Sequence, residues 1–114
     1  QYWMMLGDFN ARSRVDNYVY GLPENDKGFL VHDHIRNNTP YIDIIEMLYP
    51  GDFQKTTLSG RRVDFIYMTE PLFKRVSHAE VIRTGFAESS RDPRNLHGFC
   101  NPSDHYPILV ELKL

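Results

Sequence analysis

Hydrophobic residues fall into a few short runs separated by polar stretches, and each run predicts one element. Tyr2 to Leu6 is a continuous apolar run closed by Gly7-Asp8-Phe9-Asn10, which predicts a central, buried strand over residues 2–6 followed by a turn. Residues 11–28 are polar and aperiodic and read as a loop. Apolar positions from Phe29 through Ile35 then fit a helix of about two turns with Asp26 as its cap, ending near Asn37-Asn38. Thr39-Pro40 opens a second helix over about 41–48, which Pro50-Gly51 stops. Thr56-Thr57 favours an extended segment over 53–58, and Ser59-Gly60 reads as a tight turn into Arg62 to Met68, a hairpin candidate. Val63 to Met68 is apolar on both faces except at Asp64, the pattern of an interior strand with one conspicuous carboxylate. A helical turn over 71–74 and a strand over 77–83 follow. Residues 84–104 form a long polar loop, and Ile108, Val110, Leu112 and Leu114 alternate along a last strand.

Composition adds bounds. The 114 residues are 41% hydrophobic and 25% charged, ordinary for one folded unit and unlike a disordered chain or a disulfide scaffold. Thirteen basic against fifteen acidic side chains leave a formal charge of −2, without the broad basic character of a dedicated nucleic-acid binder. The single cysteine, Cys100, cannot form an internal disulfide and reads as a structural thiol. No apolar run is long enough to span a bilayer. The chain opens on Gln1 and enters its first apolar run without a cap or loop, which predicts further sequence upstream and leaves compartment and targeting open.

Polar residues able to carry chemistry sit at the edges of three predicted strands: Asp8 and Asn10 after the first, Asp64 within the middle one, Asp104-His105 before the last. Strand ends hold side chains rigidly while the adjoining loops leave room for a ligand, so the three positions suggest one cleft. Asp8 and Asn10 point the same way if the backbone stays extended. Asp64 requires a partner, because a lone carboxylate in an apolar strand is costly. Arg61 or Arg62 would make a structural ion pair, whereas His105 would have its imidazole tautomer fixed by the contact. Arg12, Arg14, Arg61, Arg62, Arg91 and Arg94 lie near these motifs and suggest a locally positive cleft, with solvated loop arginines as the alternative. In His32-Asp33-His34 neighbours two apart diverge on a helix, which favours a surface helix over a metal cluster.

Gly7-Asp8-Phe9-Asn10, Arg62-Val63-Asp64-Phe65-Ile66-Tyr67 and Ser103-Asp104-His105-Tyr106-Pro107-Ile108 resemble, in order, the three C-terminal motifs of the endonuclease/exonuclease/phosphatase superfamily. The intervening pattern is most similar to bacterial members of unassigned substrate. The resemblance spans residues 7–108 and implies the C-terminal half of a four-layered α/β sandwich of the deoxyribonuclease-I-like type, with a mixed, mostly antiparallel sheet and flanking helices. It further implies a divalent-metal-dependent phosphoester hydrolase, acting by in-line attack of water with Mg²⁺ or Mn²⁺. In that family Asp8 would orient or deprotonate the water, Asn10 would bond the water or the phosphate, His105 would contact a phosphate oxygen, and Asp64 would hold His105. Asp104, with Asp8, would serve the metal, and Arg12 and Arg14 are candidates for the substrate phosphate. Such chemistry depends on positioning and on stabilising charged oxygens, and oxygen-rich ligation suits these ions.

The family's N-terminal half supplies an Asn, a metal-ligating Glu and further His or Tyr residues, and none of it lies in these 114 residues. Residues 1–114 alone are therefore expected to be inactive, to bind Mg²⁺ weakly, and to expose an apolar face that the missing half would cover. Phosphodiesterase, phosphatase and nuclease remain open as activities, and small molecule, lipid headgroup and nucleic acid as substrates. The acidic balance and the lack of an aromatic stripe favour small or modest-sized phosphoesters. The contrasting possibility is a non-catalytic binding or scaffolding module that retains the fold.

Overall fold

The computed structural model describes residues 1–84, 88–89, 99–100 and 103–114. In chain order the elements are β1 (Met4–Asp8), a 3-10 turn (Arg14–Asp16), α1 (Asn17–Tyr20), a second 3-10 turn (Lys27–Phe29), α2 (Leu30–Asn38), β2 (Ile42–Asp43), α3 (Ile44–Leu48), β3 (Asp64–Met68), α4 (Glu70–Phe73), β4 (Val76–Val81), β5 (Glu88–Ser89), β6 (Phe99–Cys100) and β7 (Ile108–Leu112). All pairings are antiparallel: β1-β3-β2, β4-β7 and the short β5-β6. The fold is mixed α/β with antiparallel sheets. No helix among the described residues is long and apolar enough to cross a membrane.

β3 is the interior strand that its sequence predicts, and its two faces meet different layers. Ile66 and Met68 join Ile44, Ile45, Leu72 and Ala79, with Ile108, Val110 and Leu112 of β7 packed against them. Phe65 and Tyr67 point the other way, onto Ile35 of α2, with Met5, Phe9 and Tyr41 alongside. The alternation of β7 matches: Ile108, Val110 and Leu112 face inward while Glu111 is exposed.

Several expectations change. The first strand starts two residues later than the apolar run and lies at a sheet edge, not its centre. Tyr2 (53%), Trp3 (58%), Met4 (42%) and Leu6 (61%) are exposed, because apolar character marks a face to be covered without naming its cover. The helix expected over 41–48 begins only at Ile44, because Asp43 stays extended, pairs with Tyr67, and caps α3 by accepting the Glu46 N–H at 3.3 Å. The spacing Asp43-x-x-Glu46 is itself a capping signature. No hairpin forms between 53–58 and β3. The Thr56 and Thr57 hydroxyls instead take the N–H groups of Arg61, Val63 and Asp64 that such a hairpin would use. α2 forms where predicted, but Asp26 caps the 3-10 turn before it, accepting the Gly28 N–H at 2.8 Å, while α2 itself has Phe29 at its N-cap and no side-chain cap. Within the expected 84–104 loop, β5 and β6 pair. The positions of Arg91 and Arg94, and the side chain of Cys100, lie outside the described residues.

His32 departs from the surface-helix reading. It is 2% exposed, its Nδ1 lies 2.6 Å from the Tyr67 hydroxyl, and its ring centroid sits 3.9 Å from that of Phe65. Its Nε2 is buried without a hydrogen-bond partner among the described residues, so a second ring proton would be unsatisfied. Burial pushes the imidazole down to about 4, whereas an unfolded histidine titrates near 6.5. Between those values the unfolded chain holds a proton that the native state refuses. Native stability is therefore expected to fall by about 3 kcal/mol as pH drops from roughly 6.5 to 4, and to be flat in this respect above that window. Denaturation of wild type and His32→Gln at neutral and mildly acid pH checks this: the variant should lose much less on acidification, and equal losses would assign the acid sensitivity to other groups.

Candidate functional site

The turn after β1 is set locally. Gly7 has φ +146°, a region that L side chains rarely adopt, and Asn10 has φ 47°, which asparagine tolerates better than most residues. Asp8 accepts the backbone N–H of Asn10 at 2.8 Å, and Phe9 N–H donates to the Val63 carbonyl at 2.9 Å. The left-handed turn at Asn10 ends the extended backbone, so the two side chains do not share a strand face as the simple spacing suggests. Asp8 meets Asn10 through the main chain.

The β1-β3 register places Asp8 directly opposite Asp64. Like charges at paired positions repel, so this end of the sheet favours a neighbouring cation or proton donor. His105 is that neighbour. Its Nδ1 lies 2.8 Å from Asp64 Oδ2, with the two side chains 34% and 19% exposed. Ligand atoms of Asp8, Asp64 and His105 all fall within 4.8 Å of one another. Asp64 thus takes His105 as its partner. A proton on Nδ1 is held by the carboxylate, which leaves Nε2 as the working nitrogen.

Asp104 is more exposed, with Oδ1 4.0 Å from His105 Nε2, and it flanks the cluster through the histidine. Ser103 Oγ accepts the His105 N–H at 2.9 Å. A cavity of about 210 Å³ lined by Leu6, Gly7, Asp64, Phe65, Ile66, Tyr106, Pro107 and Ile108 adjoins these residues. A larger cavity of about 540 Å³, between the 15–18 segment and residues 45–54, includes none of the three.

Of the arginines expected to line a positive cleft, Arg14 and Arg62 are engaged by carboxylates. Arg14, a candidate for the substrate phosphate, directs Nε and Nη2 to Asp33 at 3.2 and 2.7 Å and Nη1 to the Glu24 carbonyl at 2.7 Å. The Asp33 carboxylate thereby holds it against α2, and raises its affinity for its proton. Arg12 lies 5.4 Å from the centre of the Tyr20 ring. Arg62 is 2% exposed and bonded to Asp16 at 2.7 Å and to both oxygens of Asp43 at 3.1 and 2.8 Å. Asp33 pairs with Arg14, and His34 lies by Asn38, so His32-Asp33-His34 does not converge.

Two participants escape a sequence reading. Thr56 is an ordinary loop threonine until its hydroxyl is seen accepting the Val63 and Asp64 N–H groups, and Arg62, read as a candidate ion-pair partner of Asp64, pairs with Asp16 and Asp43 instead. The one available signal for Arg62 is that it opens the apolar strand, where a free charge would be buried. In comparisons with protein families and with curated proteins, the sequence matched no family and no curated protein.

Proposed function

We propose that this protein forms the C-terminal part of a deoxyribonuclease-I-like sandwich and contributes half of the active site of a divalent-metal-dependent phosphoester hydrolase. The observation that carries the proposal is the convergence of Asp8, Asp64 and His105 at one sheet end, with Asp64 bonded to His105. It is supported by the order and wording of the three motifs that contain these residues.

In this reading Asp8, at the exposed rim, accepts a proton from the attacking water, and Asn10 hydrogen-bonds that water or the phosphate. His105, as the imidazolium whose Nδ1–H is held by Asp64, donates from Nε2 to a non-bridging phosphate oxygen as negative charge develops there. The donor set suits a hard, hydrated ion: Asp8 and Asp104 offer exposed carboxylate oxygens, while His105 Nδ1 is already taken by Asp64. Asp8 and Asp104 would hold Mg²⁺ or Mn²⁺, which when bound supplies charge neutralisation at phosphate oxygens.

The exposed side chains of β1 supply the partner. Met4 and Leu6 share a face with Ile66 and Met68 but are exposed. A further sheet with an apolar inner face, the complementary N-terminal half, would bury them and complete the ligand set. Small or modest-sized phosphoesters are the proposed substrates.

The test combines residues 1–114 with a complementary N-terminal half and offers a phosphodiester, a phosphomonoester and plasmid DNA, with Mg²⁺, Mn²⁺ or EDTA. Metal-dependent cleavage of one class supports the reading and names the ester. A folded, metal-bound assembly silent on all three would overturn it for these ester classes. Asp64→Asn should lower turnover while leaving the melting temperature near that of wild type, since the amide keeps the shape but holds the imidazole less firmly. A lower melting temperature with an unchanged rate would make Asp64 structural.

A further inference from the structure

Thr56 is completely buried, at 0% exposure, between the two segments that carry Asp64 and His105. Its Oγ1 accepts the backbone N–H of Val63 at 3.0 Å and of Asp64 at 3.2 Å. Its carbonyl accepts the N–H of Tyr106 at 2.8 Å, and its own N–H donates to the Arg61 carbonyl at 2.8 Å. The next two residues extend the seam: Thr57 forms an antiparallel bridge with His105, and Leu58 N–H donates to the Asp104 carbonyl at 2.8 Å.

These contacts matter because β3 and β7 are not ladder partners. β3 pairs with β1 and β2, and β7 with β4, so among the described residues no regular strand pairing fixes how far Asp64 stands from His105. A buried hydroxyl with two lone pairs is satisfied here by two consecutive strand amides, while the same residue's carbonyl holds the chain just past His105. We propose that Thr56 is a positioning residue, a splint between the strands that sets the Asp64–His105 hydrogen bond. That this bond serves hydrolysis rests on the reading above, whereas the splint can be tested without any substrate.

The test compares Thr56→Val, which keeps the branched shape but removes the acceptor, with Thr56→Ser, which keeps the acceptor. In ¹H–¹⁵N spectra of the imidazole, wild type and the serine variant should show a slowly exchanging His105 Nδ1–H. The folded valine variant should lose that signal to exchange with water. A folded Thr56→Val protein that retains the wild-type ring signal would overturn the proposal. Should the valine variant fail to fold, amide exchange in wild type decides: Val63 and Asp64 N–H should exchange as slowly as the ladder amides of β3, and fast exchange would overturn it. In the assembled enzyme, the valine variant should turn over more slowly and the serine variant recover. Loss of the ring signal with an unchanged rate would uphold the splint and remove the Asp64–His105 pair from the hydrolytic mechanism.

Discussion

Arg62→Leu should lower the free energy of unfolding by about 3–5 kcal/mol, the cost of leaving buried carboxylates without their cation. Arg62 bonds Asp16 through Nε and Asp43 through both terminal nitrogens, and all three side chains are below 10% exposed. Burial by itself weakens the guanidinium's hold on its proton, but Asp43 and Asp16 outweigh that and raise it, so Arg62 stays charged. Asp16 is the strained member: burial raises its carboxyl despite the attraction of Arg62. Without Arg62 both carboxylates must bind protons or admit water. Asp43 also caps α3, and Arg62 leads into Asp64, so the damage reaches a helix start and a strand start together. Urea denaturation measures it, and a loss below about 1 kcal/mol would show that solvent reaches these groups in the native state. Replacing Arg62, Asp16 and Asp43 together by apolar residues of similar volume should recover most of the loss, because no uncompensated charge then remains.

On the proposed hydrolase reading, His105→Ala in residues 1–114 combined with a complementary N-terminal half should reduce turnover by roughly 10²- to 10⁴-fold, the range for a positioned donor or acid–base group. Its effect on the fold should be small. The imidazole is a third exposed, and the neighbouring chain is held by main-chain bonds from Leu58 to Asp104 and from Tyr106 to Thr56, which alanine leaves intact. Paired measurements of rate and melting temperature make the distinction. Near-normal turnover in a folded variant would remove His105 from the mechanism, while a collapse of the fold would show that the imidazole is a packing element.

The parts of this structure legible in the sequence are those fixed by local pattern. β3 is readable because a run apolar on both faces can only be interior, and α2 because Phe29, His32 and Ile35 recur at helical spacing. The Asp64–His105 contact followed from the need of a strand carboxylate for a partner, once the motifs had narrowed the choice. What stayed hidden depends on contacts distant along the chain. Arg62 finds Asp16 and Asp43 at separations of 46 and 19 residues, and nothing in a polar loop or a helix cap announces that its carboxylate will be buried. His32 falls three residues from each of the buried Phe29 and Ile35, on the core face of α2 that His34 misses, and packing against Phe9, Phe65 and Tyr67 completes its burial. The exposure of Met4 and Leu6 depends on which neighbours pack on β1, a property that an apolar run does not specify.

The pairing of Asp8 with Asp64 ties chemistry to strand alignment. In a ladder with a two-residue repeat, sliding β1 by one position would turn Asp8 to the opposite face and bring Gly7 or Phe9 against Asp64. The two carboxylates meet in one alignment of the hairpin-less pair and in no adjacent one. Their repulsion resists that alignment, and a bound positive charge would favour it, so occupancy of this sheet end and correct threading of the first strand become a single equilibrium.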